Sequence, residues 1–300
     1  MGMIGCDLGT NTLRVVEIDC KTRRRVKEFE RIVKTGQNLK KTGQISTEAI
    51  HNIFEALRDA SKIFDFEKHK VKCVTTEAMR LASNSREILQ EIRQEFGLDF
   101  QIISGDEEAK YTLFGVQNAL KVLNQFDNDF CMFDLGGGST EIIYANKPTP
   151  SYKSFPFGIL KISEKYNETQ ALEKGIEHEL NQIDPFVLDH DKPKRLIATA
   201  GTPTTVCAFL QGVDYKSYDH KRISGQILRR DDFKKAYKQL FALDLSERER
   251  FCGTNRSDLI KTGILIVIGL MGKLGFDECV IVDDGLREGV ALSLCHFGFI

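Results

Sequence analysis

The sequence lacks the marks of several large protein classes. Its charges nearly cancel, with 42 Lys and Arg against 43 Asp and Glu. No overall field therefore exists to gather nucleic acid or to hold the chain on an anionic membrane, so any anion must be bound by local geometry. No apolar run can span a bilayer: the longest, Ile264 to Gly272, ends at Lys273, short of the roughly 20 residues a spanning helix needs. The N-terminus enters a strand pattern at once, without the tract of a secretion signal. On these grounds neither a membrane nor a secreted protein is expected, no DNA partner is expected, and the cytoplasm is the expected compartment. The cysteines (Cys6, Cys20, Cys73, Cys131, Cys207, Cys252, Cys279 and Cys295) are scattered, with no C-x-x-C and no neighbouring His pair. That spacing offers neither a zinc site nor a disulfide framework, so reduced thiols are expected, several of them acting as small buried hydrophobes. With only 6 prolines and no low-complexity tract, no disordered linker is expected.

What is present, over 300 residues, is enough for two domains. Met3 to Cys6, Leu13 to Ile18 and Val26 to Val33 alternate apolar and polar positions and predict an antiparallel meander, with Lys21 to Arg25 as a solvated hairpin tip. Helical spacing follows over Ser46 to Phe64, then a strand at Lys70 to Val74, a helix at Ser85 to Phe96, a strand at Phe100 to Ile103 and a helix from Asp106 to Val122. The second half repeats this order. Strands are predicted at Asp129 to Asp134, Glu141 to Ala145, Tyr152 to Phe155, Arg195 to Thr199 and Cys279 to Val282, and helices at Phe157 to Ile183, Asp231 to Leu243 and Thr262 to Leu274. Asp7-Leu-Gly-Thr aligns with Asp134-Leu-Gly-Gly, Lys72-Cys-Val-Thr-Thr with Arg195-Leu-Ile-Ala-Thr, and Gln101-Ile-Ile-Ser-Gly with Val280-Ile-Val-Asp-Asp-Gly. Two copies of one α/β unit are therefore expected. The boundaries fall at 1–125 and 126–300, joined at the short polar stretch Leu123 to Asn128, with a C-terminal helix at about 286–300 packing back on the first unit.

The chemistry concentrates where strands end. Asp7-Leu-Gly-Thr-Asn-Thr and Asp134-Leu-Gly-Gly-Gly-Ser-Thr-Glu each place a carboxylate at a strand end, followed by small residues. Glycine lets successive N–H groups point the same way and cradle an anion. One such turn is an ordinary hairpin, but two in matching positions point to phosphate. Ser104 is placed to cap the helix that follows it and Glu107 to complete a capping box, which leaves Glu108 in the first helical turn without that task.

These segments, with Thr75-Thr-Glu-Ala-Met-Arg80, Ile103-Ser-Gly-Asp-Glu-Glu-Ala-Lys110, Gly201-Thr-Pro-Thr-Thr205 and Asp284-Gly-Leu-Arg-Glu-Gly289, resemble the exopolyphosphatase and guanosine pentaphosphate phosphatase family along essentially the whole chain. The resemblance implies an α/β fold class: two ribonuclease-H-like lobes of the actin-like ATPase superfamily, with mixed five-stranded sheets around a central cleft. It implies hydrolysis of a terminal phosphoanhydride of inorganic polyphosphate or guanosine pentaphosphate, with Mg²⁺ as cofactor and a homodimer as the usual arrangement. Glu108 takes the position of the catalytic base. Asp134 and Glu141 fall at metal-binding or water-positioning places. Phosphate is assigned to Asp7, Gly9, Thr10, Asn11, Arg80, Gly136, Gly137, Gly138, Ser139, Thr140, Gly201 and Thr202. Arg287 is read as structural, paired with an interdomain carboxylate. Lys34, Lys40 and Lys41, around Gly36 to Gly43, resemble a basic loop that holds distal phosphates. The sequence is expected to be a short form without the C-terminal HD-type domain many members carry, and His190-Asp191 is an isolated pair. An actin-fold phosphotransferase and a non-catalytic alarmone-binding regulator remain open alternatives, since fold alone does not separate them.

Overall fold

A computed structural model describes residues 2–166, 169–254 and 256–295. The chain forms two compact units, one from Met1–Val122 with Asp284–Ile300, the other from Leu123–Asp283.

In the first unit β1 (Gly2–Leu8), β2 (Thr12–Asp19) and β3 (Arg24–Ile32) form the meander read from the alternating pattern. β4 (Lys70–Thr75) and β5 (Phe100–Ile102) then add parallel to β1, giving the order β3-β2-β1-β4-β5. The helices of the connections are α1 (Leu39–Thr42), α2 (Thr47–Ile63), α3 (Glu77–Leu81), α4 (Ser85–Phe96) and α5 (Gly105–Val122). Ser46 starts α2 by accepting from the Ala49 N–H, and its apolar stripe Ile53, Leu57 and Ala60 joins Ile4, Cys6, Leu8 and Val15 on one face of the sheet.

The second unit is built on β6 (Phe130–Leu135), β7 (Thr140–Tyr144), β8 (Ser151–Phe155), β9 (Arg195–Thr199), β10 (Ile227–Arg229) and β11 (Glu278–Ile281), in the order β10-β11-β9-β6-β7-β8. Taken from its other edge this is the order of the first sheet with one strand added, so the repeat seen in the sequence is a repeat of topology. The sheet has six strands where five were expected. β10 is three residues long, with two of them exposed, and such a segment carries no alternation to read. Its helices are α6 (Ile159–Lys165), α7 (Thr169–Leu180), α8 (Asp184–Leu188), α9 (Gly201–Leu210), α10 (His220–Ile223), α11 (Arg230–Ala242), α12 (Leu245–Cys252) and α13 (Ser257–Lys273). The helix expected over Phe157 to Ile183 is divided into α6, α7 and a 3₁₀ turn at Asn181–Ile183, while residues 167–168 of that range lie outside the described residues. His190 serves packing: its Nδ1 lies 2.7 Å from the Phe186 carbonyl and its ring stacks on Tyr144 at 4.3 Å.

The chain then returns to the first unit as α14 (Leu286–Leu292), which packs on β1 and α5 over the sheet face that α2 leaves uncovered. Residues 296–300 of the helix expected at about 286–300 lie outside the described residues. Gly289 is required here, because a Cβ would run into the Tyr111 backbone of α5.

Two sequence expectations are corrected in this region. Cys20 and Cys295, expected as reduced thiols, form a disulfide with Cα atoms 5.6 Å apart across 275 residues of sequence. They meet because α14 returns to the first sheet, a non-local pairing that cysteine spacing does not reveal. Arg25, expected in a solvated tip, has a side chain only 4% exposed, 3.1 Å from Glu288, 3.2 Å from Asp284 and 2.8 Å from Glu28. A register shift between Glu17 and Ile18 sets Arg25 opposite Ile18, on the face that α14 covers. Arg287 belongs to the same network through Glu288 at 2.6 Å and Glu28 at 3.2 Å; these carboxylates lie in its own unit and are not the interdomain partner expected. The remaining cysteines are buried thiols, and burial raises those of Cys131 and Cys279 well above their ordinary range. Among the described residues no helix is long and apolar enough to cross a membrane.

Candidate active site

In the first unit β1, β4 and β5 run parallel, with Leu8, Thr75 and Ile102 level in the ladder. The turn after β1, the start of α3 and the start of α5 therefore leave the same edge of the sheet. This gathers Asp7, Gly9, Thr10, Asn11, Arg80 and Glu108 at one edge. Asp7 is buried at the end of β1. In the turn that follows, the Gly9 N–H donates to the Thr12 carbonyl at 3.0 Å. The Thr10 carbonyl accepts from Gly36, and that of Asn11 from Val33 and Lys34. The carbonyls are thus satisfied from behind, and the N–H groups of Thr10 and Asn11 have no acceptor among the described residues. Asn11 Oδ1 and Thr35 Oγ1 are buried there without a hydrogen-bond partner among the described residues, the condition under which an ordered water or ligand atom is expected. Thr35 was not found from sequence, because nothing local marks the segment after β3 as the back of the β1–β2 turn. Lys34 lies in that segment at a φ of 56°, and Lys40 and Lys41 are exposed on α1.

The start of α5 carries the capping box. The Ser104 N–H donates to Glu107 Oε2 at 2.9 Å, its hydroxyl lies 3.0 Å from the same oxygen, and the Glu107 N–H donates to the Ser104 hydroxyl at 3.2 Å. These bonds hold the Glu107 carboxyl below its usual range, first the backbone N–H and then the hydroxyl. Glu108, one residue on, is turned inward and only 9% exposed. Arg80, at the surface, donates from its guanidinium to the Ile103 carbonyl, just before the capping residue, and so ties α3 to the strand end that launches α5.

The second unit repeats the arrangement. The Gly136 N–H donates to the Ser139 carbonyl at 3.0 Å, the counterpart of Gly9 and Thr12. The carbonyls of Gly136 and Gly137 accept from Ile159 at 3.0 Å and Leu160 at 2.9 Å. The first turn of α6 thus backs the loop, and the N–H groups of Gly137, Gly138 and Ser139 have no acceptor among the described residues. Gly158 sits directly against this loop; a Cβ there would lie 2.6 Å from the Gly137 carbonyl. The Thr140 hydroxyl donates to the Phe157 carbonyl at 2.8 Å. Gly201 and Thr202 open α9 at the same sheet edge, with Thr202 buried against Gly263 of α13. Ala200 before them is held at φ 83° and ψ 178°, a region natural to glycine that other residues occupy chiefly where function demands it.

Asp134 and Glu141 are register partners across β6 and β7, with Thr199 level on β9 and Ser154 level on β8. Directly opposed side chains share a face, so these four form one polar row across the sheet. The Ser154 hydroxyl donates to Glu141 Oε1 at 2.6 Å. Two like charges placed side by side repel, and a hard divalent cation between them relieves that repulsion. Among the described residues no group of three or more His, Cys, Asp or Glu gathers as a ligand set. The donor set suits Mg²⁺, which keeps several waters and takes few protein ligands.

Two mixed sheets of matching topology, each with an acidic residue at a strand end (buried Asp7, half-buried Asp134) and a following turn with N–H groups that have no acceptor among the described residues, define a duplicated α/β protein of the actin-like ATPase type. Residues 15–297 match the model of the Ppx/GppA phosphatase family, and the chain belongs to that family. It is 27% identical over 311 residues to a bifunctional 3-dehydroquinate synthase/phosphatase of Fusobacterium nucleatum, an alignment covering 96% of this chain and 46% of that relative. The chain therefore spans about half of that protein's length. It is 25% identical to exopolyphosphatase 2 of Mycobacterium tuberculosis, over 96% of this chain and 97% of the other. Among solved structures, the Aquifex aeolicus member of the Ppx/GppA family superposes with a TM-score of 0.74 at 26% identity, covering 98% of this chain and 97% of that one. An exopolyphosphatase from Cytophaga hutchinsonii shares the fold with a TM-score of 0.85 at 22% identity, covering 98% of each chain.

Proposed function

We propose that the protein is a phosphoanhydride hydrolase that removes the terminal phosphate from inorganic polyphosphate or from guanosine pentaphosphate. The observation that carries this reading is the division of labour at the start of α5. Glu107 performs the capping, while Glu108 is held in the first helical turn at 9% exposure, at the sheet edge that also carries the turn after β1. Family membership and the exopolyphosphatase among the relatives support the choice of substrate.

In this reading each unit carries its own cradle for phosphate oxygens, the N–H groups of residues 10–11 in the first and of residues 137–139 in the second, and Glu108 of the first unit orients a water and accepts its proton. The water oxygen bonds to the terminal phosphorus as the bridging P–O bond breaks. Inorganic phosphate leaves, together with a chain or nucleotide one phosphate shorter. Asp134 and Glu141 are the residues that would hold Mg²⁺; when bound, the ion neutralises charge on the phosphoryl oxygens. Phosphate release from polyphosphate and from guanosine pentaphosphate, measured side by side, tests the proposal. Release from either supports it. Binding of the nucleotide without release, or transfer to an acceptor other than water, would replace it with the sensor or the phosphotransferase reading.

A further inference from the structure

Glu141 is 1% exposed, yet its Cα register partner on one side is another acid, Asp134. A long side chain in that position gains by rotating away from its neighbour, so something must hold the carboxylate in place. Ser154, its register partner on the other side, does this: the hydroxyl lies 2.6 Å from Oε1. An ionised carboxylate only accepts, which makes the serine the donor. A hydroxyl donating to a carboxylate is among the stronger hydrogen bonds available to a neutral side chain. β8 supplies this hydroxyl from within its ladder with β7, one pair from the end, with both neighbouring residue pairs, Ile142 with Lys153 and Thr140 with Phe155, formed. The serine is thus on a rigid element, and its direction is set by the sheet.

We propose that Ser154 is a positioning residue for the phosphohydrolase reaction, fixing the Glu141 carboxylate in the plane the reaction uses. The inference rests on the function proposed above. A residue that orients a functional carboxylate typically affects activity or metal affinity about 10- to 100-fold when removed. Ser154→Ala is therefore expected to lower kcat by about 10-fold or more and raise the Mg²⁺ concentration for half-maximal rate, with KM and melting temperature near the parent's. Ser154→Thr keeps the hydroxyl and should recover most of the loss. A serine that merely satisfies a buried acid would instead give a lower melting temperature with unchanged kcat and Mg²⁺ dependence, and that result overturns the proposal. Crystal structures of parent and Ser154→Ala supply an arm independent of turnover. A reoriented Glu141 carboxylate supports the proposal, and an unchanged one contradicts it. If the parent releases no phosphate from either substrate, the functional reading fails while the crystallographic arm still decides whether Ser154 positions Glu141.

Discussion

Glu107 and Glu108 are adjacent, identical in chemistry and opposite in task. Glu107→Ala removes the capping interaction and should cost about 1 kcal/mol, with turnover largely kept. Glu108→Ala should lower turnover by about 10²- to 10⁴-fold, the usual effect of losing a general base, with little change in melting temperature. Melting curves and rates for both variants check this; a dead Glu107→Ala beside an active Glu108→Ala would reverse the assignment. A pH dependence follows as well. The Glu107 carboxyl is lowered in the folded state by its bonds to Ser104, so it contributes stability above its unfolded pKa and loses it as pH falls through the folded value. Glu107→Gln should thus be less stable than the parent near pH 7, and the gap should close as pH falls below about 4.3, the unperturbed value for glutamate. A gap that stays constant down to the acid transition would show that the charge contributes nothing.

At the scale of elements, the two phosphate turns are shaped from behind, by residues 33–36 in one unit and 157–160 in the other. Gly158→Ala places a methyl group against the Gly137 carbonyl. Since neither side of that contact is a flexible side chain, we expect loss of activity of at least about 10-fold and a lower melting temperature, by overpacking. Wild-type rates in this variant would mean that the 136–139 turn tolerates displacement. The turns themselves were legible in the sequence because Asp and Gly at strand ends are local signals, as was the Ser104 capping box. Their supports were not. Thr35, Ser154 and Gly158 act through ladder register and close approach, which alternating patterns do not specify until strands are paired. The same cause lies behind β10, too short to alternate, and behind Arg25, turned inward by a register shift between Glu17 and Ile18. α12 has an ordinary cap in Asp244, which accepts from the Glu247 N–H, but its polar sequence shows no apolar stripe from which a helix could be read.

Over the whole molecule, the duplication of one unit was legible from paired motifs, whereas the return of the chain's end to its beginning is a fact of three dimensions. α14 is fastened to the first sheet by the charge network of Arg25 and Arg287 and by the Cys20–Cys295 disulfide. A crosslink closing so long a loop restricts the unfolded chain strongly, so Cys20→Ser should lower stability by about 2–5 kcal/mol relative to the oxidised parent. Reduction of the parent should reproduce that loss, and thiol alkylation before and after reduction should show two additional reactive groups. Equal melting temperatures for oxidised parent and variant would remove the disulfide from the account. The central claim is that Glu108 directs water onto a terminal phosphoanhydride, and one measurement addresses it directly: turnover of polyphosphate and of guanosine pentaphosphate in ¹⁸O-labelled water. The account predicts that each phosphate released from the substrate it hydrolyses carries one oxygen from solvent, and that Glu108→Ala lowers the rate of this incorporation by about 10²- to 10⁴-fold. Release without solvent oxygen, no release from either substrate, or an undiminished rate of labelling in the variant would contradict it.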